Sequence, residues 1–356
     1  MVAIKEHDVV YDGDRKIHYL AAGPSGGPLI IFVHGWPAIA RTWKKQLATF
    51  ASLGFRAIAP DLPGYGKSTA RKVLSDYAQT KVVEGMLALL ADTGRSEAIW
   101  VGHDWGASVL ASLVAHHPEV FKAIATITVP YKAGELGVDQ LLKSINRQIY
   151  PADQYPYGQY DYMKYYEESF DECVPWFDRQ IPAIIKALYA PGSPESVGKP
   201  AITSTLTKDG GWLGGVHQSL PPLEYLPTPV IDDETYEELV GAMTATGFWP
   251  GTAYYLHGEA NNKYNTTNLA NDGKLHMPYL FVHSDYDTIC DSKNSGLADP
   301  LREACSNLTE VSIPAGHWVP QERPEELNAA LVRFILDEVP EFWPGSTTIH
   351  YIKNKK

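Results

Sequence analysis

Cysteine is scarce: Cys173, Cys290 and Cys305 are the only three in 356 residues, and no two stand in CxxC spacing. That spacing speaks against a disulfide framework and against a zinc site, leaving three buried thiols as the simplest reading. Positive charge is short as well, with 30 Lys and Arg against 42 Asp and Glu and a formal net charge of −12. Such a surface repels phosphate backbones and anionic headgroups, so neither nucleic acid nor membrane is an expected partner. No run approaches the roughly 18 apolar residues that span a bilayer. The opening MVAIKEHDVV lacks the apolar stretch of a secretory signal, and the closing KNKK matches no lipidation motif. Asn265 and Asn307 each begin an N-x-T sequon, which without a secretory signal reads as a chance match. The expected location is therefore cytoplasmic. Internal repeats and low-complexity tracts are also missing.

What is present is a 44% hydrophobic chain with a clear rhythm. EHDVVYDG and KIHYLAAG alternate around a turn-rich DGD and predict a hairpin. Continuous apolar runs follow in PLIIFVHG, FRAIAPDLPG, EAIWVGHD and AIATITVP, as in strands buried on both faces of a parallel sheet. Between them TWKKQLATFASLG, SDYAQTKVVEGMLALLADTG and SVLASLVAHHPEVF show helical spacing, the second with Ser75 as its expected cap and Gly94 as its stop. Strand and helix in repetition imply an α/β fold with crossover helices.

After Pro130 the rhythm stops. The segment to about Met277 is rich in tyrosine, tryptophan, proline and glycine, with short helical patterns in GVDQLLKSINRQIY and DETYEELVGAMTATG. Strands resume at MPYLFVHSD and LTEVSIPAGH, and PEELNAALVRFILDEV closes the chain as a helix. The expected organisation is an α/β core from 1–130 and 278–356, with a mainly helical cap from 131–277 inserted above the carboxyl ends of the strands. Ligands bind there in open α/β sheets.

GHDWGA, from Gly102 to Ala107, stands where a buried strand breaks into a helix. Its small residues make room for the sharp bend of a nucleophile elbow, with Asp104 in the place usually held by serine. Asp287 in HSDYDTI and His317 in AGHW each follow a strand. Nucleophile, acid and histidine in that order are the α/β-hydrolase arrangement. HGWP, His34 to Pro37, follows the first buried strand, so the amides of Trp36 and Trp105 are the expected oxyanion donors; Pro37 fixes the turn, with a cis bond in view. DLPGYGKS lacks phosphate-loop spacing and reads as a turn. Trp43 reads as packing.

An aspartate is already ionised at neutral pH. It can attack a saturated carbon without a base and leaves an alkyl ester that water can cleave, whereas serine would leave an ether. His317, oriented by Asp287, would then activate water. The leaving group is narrowed to halide or epoxide oxygen, and an epoxide needs an acid such as tyrosine to meet the alkoxide.

HGWP, DLPGYGKS, GHDWGA, HSDYD and AGHW together resemble the soluble epoxide hydrolases, over nearly the whole chain and most closely in the core. The resemblance implies an α/β-hydrolase fold and epoxide hydrolysis to a vicinal diol without metal or organic cofactor. It also implies two cap tyrosines on the ring oxygen: Tyr162 in DYMKYYEE and Tyr255 in GFWPGTAYYL, with Tyr254 as the adjacent alternative. The pocket is expected to involve His34, Pro37, Trp105, Tyr166, Tyr254 and Trp318, and to take a small apolar epoxide and water. The protein would act as a monomer or homodimer. A haloalkane or haloacid dehalogenase is the second enzymatic reading, disfavoured by Trp36 and Trp105 where such enzymes place asparagine and arginine. A non-catalytic small-molecule receptor is the third, disfavoured by the intact set Asp104, Asp287 and His317.

Overall fold

The computed structural model describes residues 2–346; the KNKK motif and the end of the 278–356 segment lie outside them. Eight strands form one sheet in the order β1-β2-β4-β3-β5-β6-β7-β8, where β1 is Lys5–Tyr11, β2 Arg15–Ala22, β3 Leu29–Val33, β4 Arg56–Pro60, β5 Ala98–His103, β6 Phe121–Ile127, β7 Tyr279–Ser284 and β8 Leu308–Ile313. β1 and β2 pair antiparallel, as do β2 and β4, and every later pair is parallel. The central strands β3, β5 and β7 are buried throughout, whereas the edge strand β1 alternates. Burial on both faces explains why their sequences show no alternation.

Helices α1 (Lys44–Ser52), α2 (Gln79–Asp92) and α3 (Trp105–His116) cross between the strands, and Pro324–Glu338 closes the fold. Two hydrophobic cores fill the two faces of the sheet, one around Trp43, Phe50 and Phe334, the other around Trp100, Leu110 and Met86. Trp43 is thus a packing residue.

One expected boundary shifts. Ser75 does not cap α2, which begins at Gln79 after Ala78. Leu74–Tyr77 instead makes a separate 3-10 turn, held by Asp76 accepting from Arg15 at 2.7 Å and Arg71 at 2.9 Å. Two guanidiniums on one carboxylate outweigh the local capping preference of serine. Asn265 is buried, and its side-chain nitrogen donates to Gln79 Oε1 at 2.6 Å, so its sequon lies inside the fold.

β6 and β7 are neighbours, so the long connection between them leaves and rejoins the same stretch of sheet. It is helical: α4 (Val138–Leu141), α5 (Asp161–Asp178), α6 (Ile181–Leu188) and a further helix, Asp233–Thr246. That last helix is capped by Asp232, whose carboxylate accepts from Thr235 N at 2.9 Å, and is anchored to the core by Lys44–Asp232 and Arg41–Glu234 pairs, each 2.6 Å. Exposed pairs contribute little, about 0–1 kcal/mol each. The burial of Tyr166, Phe177, Tyr189 and Phe248 holds the cap down more strongly.

Candidate active site

β5 ends at His103, and Asp104 follows with φ 54° and ψ −124° before α3 begins. A non-glycine residue held there stores about 1–3 kcal/mol of strain, which the surrounding packing must offset. The neighbouring glycines show how tight the packing is. A Cβ on Gly102 would come within 2.8 Å of Ala107 N, and one on Gly106 would strike the carbonyls of Val33 and His34. The bend thus lifts the Asp104 side chain off the sheet and aims it at the loop after β3.

In that loop the Trp36 amide donates to Asp104 Oδ1 at 2.6 Å, and the Trp36–Pro37 bond is cis. The second carboxylate oxygen, Oδ2, lies 3.6 Å from His317 Nε2. His317 Nδ1 in turn meets Asp287 Oδ2 at 2.7 Å, while Asp287 Oδ1 accepts from the amides of Ile289 and Cys290 at 2.9 and 3.0 Å. Three residues separated by 213 positions in sequence therefore form one line of contacts at the carboxyl ends of β5, β7 and β8.

Their charges reinforce one another. Burial works to raise the Asp104 pKa, but the His317 contact and the Trp36 amide outweigh it and hold the carboxyl below its ordinary range. Asp287 behaves alike: burial opposes its charge, and His317 with two amides overcomes that. For His317, burial opposes protonation, yet Asp287 and Asp104 together push the imidazole well above its usual value. Each carboxylate thus favours the protonated form of the imidazole between them.

Three groups that sequence reasoning did not single out hold the His317 loop. His103, kept neutral by burial and by the His317 charge at a pKa of about 4, donates from Nε2 to the His317 carbonyl at 2.7 Å. Ser284 Oγ is 2.5 Å from the carbonyls of both Ala315 and Gly316, and Glu322 accepts from Gly316 N at 2.9 Å. His103 was visible inside GHDWGA, but a partner 214 residues away leaves no local signal.

A cavity with about 410 Å³ of empty space, its mouth included, opens over Asp104 and Trp105 and is roofed by Tyr160, Tyr162 and Tyr255. The rings of Tyr162 and Tyr255 meet edge to face at 5.7 Å, and Trp105 packs edge-on against Tyr255 at 5.0 Å. Burial first, and the Asp104 charge with it, lifts both phenols well above their ordinary value, so each keeps its proton as a donor. Tyr254 points elsewhere: its hydroxyl donates to Pro63 O at 2.7 Å.

Of the six expected pocket residues, Trp105 lines this cavity. The others are occupied. His34 Nδ1 faces Gly35 O at 2.9 Å and Nε2 accepts from Leu62 N at 3.0 Å; the Pro37 carbonyl accepts from Tyr189 at 2.9 Å. Tyr166 accepts from Trp212, and Trp318 donates to Leu188 O while stacking on Tyr189 at 3.8 Å. Most of these partners, backbone and side chain alike, are distant in sequence, so sequence alone does not show that the residues are engaged. The DLPGYGKS turn is closed by its own Asp61, which accepts from Ala40 and Lys67 amides.

One ligand-capable atom each of Asp287, Cys290 and His317 fall within 4.8 Å of one another. The first and last are bound to each other, and burial with the Asp287 charge lifts the Cys290 thiol to about 12. This donor set is better matched to itself than to a cation.

A model of the α/β-hydrolase fold matches residues 28–180. Epoxide hydrolase A of Mycobacterium tuberculosis is 30% identical over 337 residues, 90% of this chain and 94% of that protein. The chain belongs to the epoxide hydrolase family. An epoxide hydrolase of Caballeronia sordidicola is 28% identical across 93% of the chain and 94% of its own length. The fold agrees with that of an epoxide hydrolase from an endophytic Streptomyces, with TM-score 0.74 and 23% identity over 95% of this chain and 96% of that one. Within this epoxide hydrolase family fold, the cap and the mostly parallel sheet stand as expected. Among the described residues no helix is long and apolar enough to cross a membrane.

Proposed function

We infer that this chain converts an epoxide and water to a vicinal diol through an ester on Asp104, with residues 131–277 acting as the cap over the reaction. The observation that carries the reading is the division of labour on one carboxylate: Oδ1 is held by the Trp36 amide and Oδ2 faces His317 Nε2 at 3.6 Å, on a side chain that lines the same cavity as the two cap phenols. Oδ2 attacks the ring carbon and the C–O bond breaks. Tyr162 and Tyr255 meet the departing oxygen and supply its proton. Oδ1 becomes the ester carbonyl, already seated against the Trp36 amide.

Esterification removes the Asp104 charge, one of the two that hold the proton on His317. The imidazole then gives up that proton, restoring the phenol pair, and is free to take another from water. Hydroxide adds to the ester carbonyl, the Trp36 and Trp105 amides stabilise the oxyanion, and collapse releases the diol. One proton of the water returns to His317 and the other ends on the second diol oxygen.

Incubation with styrene oxide tests the activity: phenylethanediol should form. Halide release from haloalkanes without diol would favour the dehalogenase reading, and tight ligand binding without turnover would favour a receptor. Tyr162→Phe and Tyr255→Phe should each slow ring opening, by up to about 10²-fold, and the double variant by about 10²–10⁴-fold. Single-turnover quench kinetics with circular dichroism as a fold check measure this.

Acidification should separate the two half-reactions. Asp104, its pKa depressed by the His317 contact and the Trp36 amide, stays charged and reactive as pH falls, whereas His317 beside the ester increasingly keeps its proton. Ester should therefore accumulate at low pH, seen as a rising fraction of mass-shifted intact protein in the steady state.

A further inference from the structure

Resting on the reading above, we propose that Tyr189 and Glu322 are positioning residues for the water step, through which the cap segment 188–192 holds His317 and the Trp36 amide in register around the ester on Asp104.

Tyr189 directly follows α6, is fully buried, and touches both halves of the hydrolytic machinery at once. Its hydroxyl donates to Pro37 O at 2.9 Å, one residue beyond the Trp36 amide that holds Asp104 Oδ1. Its ring lies flat on that of Trp318, the neighbour of His317, with centroids 3.8 Å apart and planes 12° from parallel. Burial first, and the Asp104 charge with it, lifts the phenol well above its ordinary value, so the hydroxyl keeps the proton it donates. Trp318 is pinned in turn by Nε1 donating to Leu188 O at 2.6 Å, and its ring meets that of His317 edge to face at 5.1 Å.

Glu322 grips the same loop on the other side of His317. Its Oε2 accepts from Gly192 N in the cap at 3.2 Å and from Gly316 N at 2.9 Å. The two glycine backbones lie against each other, for a Cβ on Gly192 would stand 2.3 Å from Gly316 Cα. One carboxylate thus ties a cap amide to an amide of the histidine loop. From the core side His103 and Ser284 hold that loop by its carbonyls. The cap holds it by the Gly316 amide and the Trp318 ring.

Among the described residues, neither Tyr189 nor Glu322 lines the cavity over Asp104, so both act through other residues. The cap phenols stand on separate elements, Tyr162 in α5 and Tyr255 in the short turn Tyr254–His257. Ring opening uses Asp104 and those phenols. Ester hydrolysis needs the imidazole and the Trp36 amide aligned on one carbonyl carbon, so loosening the 188–192 segment falls on the second step. A catalytic group displaced by about 1 Å can lose about 10²-fold in rate.

The test follows ester formation and ester decay separately, with styrene oxide and the full chain, by quenched single turnovers and intact-protein mass. In Tyr189→Phe, which keeps the ring and removes the hydroxyl, decay should slow by about tenfold while formation keeps its parent rate. Ester then accumulates in the steady state, and KM falls with kcat. A merely structural defect would lower the fraction of active protein and leave both rate constants and KM where they were. Glu322→Ala should slow decay likewise, and Glu322→Gln, whose amide oxygen still accepts from both backbone N–H groups, should restore it. Circular dichroism checks the fold of each variant. Decay unchanged in both Tyr189→Phe and Glu322→Ala, or formation slowed as much as decay, would overturn the positioning roles and leave the reaction standing. Absence of both ester and diol in the parent protein would instead overturn the reaction.

Discussion

His317→Gln should stop turnover after a single event and leave the substrate attached to the protein. On the proposed mechanism attack uses the Asp104 carboxylate and the cap phenols and the imidazole is needed only for the water step, so removing it should spare attack and block release. Intact-protein mass after brief exposure should rise by the mass of one epoxide, with the added mass on the peptide containing Asp104. Steady-state diol formation should drop by about 10⁴-fold or more, the scale seen when a catalytic base is lost. Glutamine keeps a polar side chain between Asp104 and Asp287, so the fold should survive. A variant that loses activity but gains no mass would show that the imidazole takes part in the first step, as it would with a serine nucleophile.

Asp104→Asn should abolish ester formation with a comparable loss, because an amide oxygen is a poor nucleophile and the charge that stabilises the imidazolium disappears. The variant offers an internal control. Residue 104 should keep its Trp36 amide contact and its place beside His317, so slow deamidation can regenerate aspartate. Any activity that returns with time should track a gain of one dalton at residue 104. Full-rate turnover in freshly prepared, undeamidated protein would remove Asp104 from the chemistry altogether.

Much of this was legible because the residues concerned carry local signals. Gly102 and Gly106 flank Asp104 between a buried strand and a helix, and only such residues fit where a Cβ would strike the neighbouring backbone. Asp287 and His317 each follow an apolar strand, and the loss of strand rhythm after Pro130 marks the insertion. What could not be read depends on distant partners. Tyr254 and Tyr255 are adjacent and chemically identical; the Pro63 carbonyl, 191 residues from Tyr254, takes that hydroxyl and leaves Tyr255 over the cavity. His34 looks like a site residue until the Leu62 amide is seen to occupy it. Ser75 was a reasonable cap by type, displaced by two arginines converging on Asp76. Leu297 and Cys290 reach the cavity from the stretch that follows HSDYDTI, where neither residue carries a signal of its own.

Single turnover in water labelled with heavy oxygen tests the central claim most directly. With enzyme in excess over epoxide, the label should enter the Asp104 carboxylate, raising the mass of its peptide by two daltons, while the diol leaves carrying an unlabelled oxygen from the protein. Label found in the diol with an unchanged Asp104 peptide would mean that water attacks the epoxide directly and that no ester on Asp104 is formed.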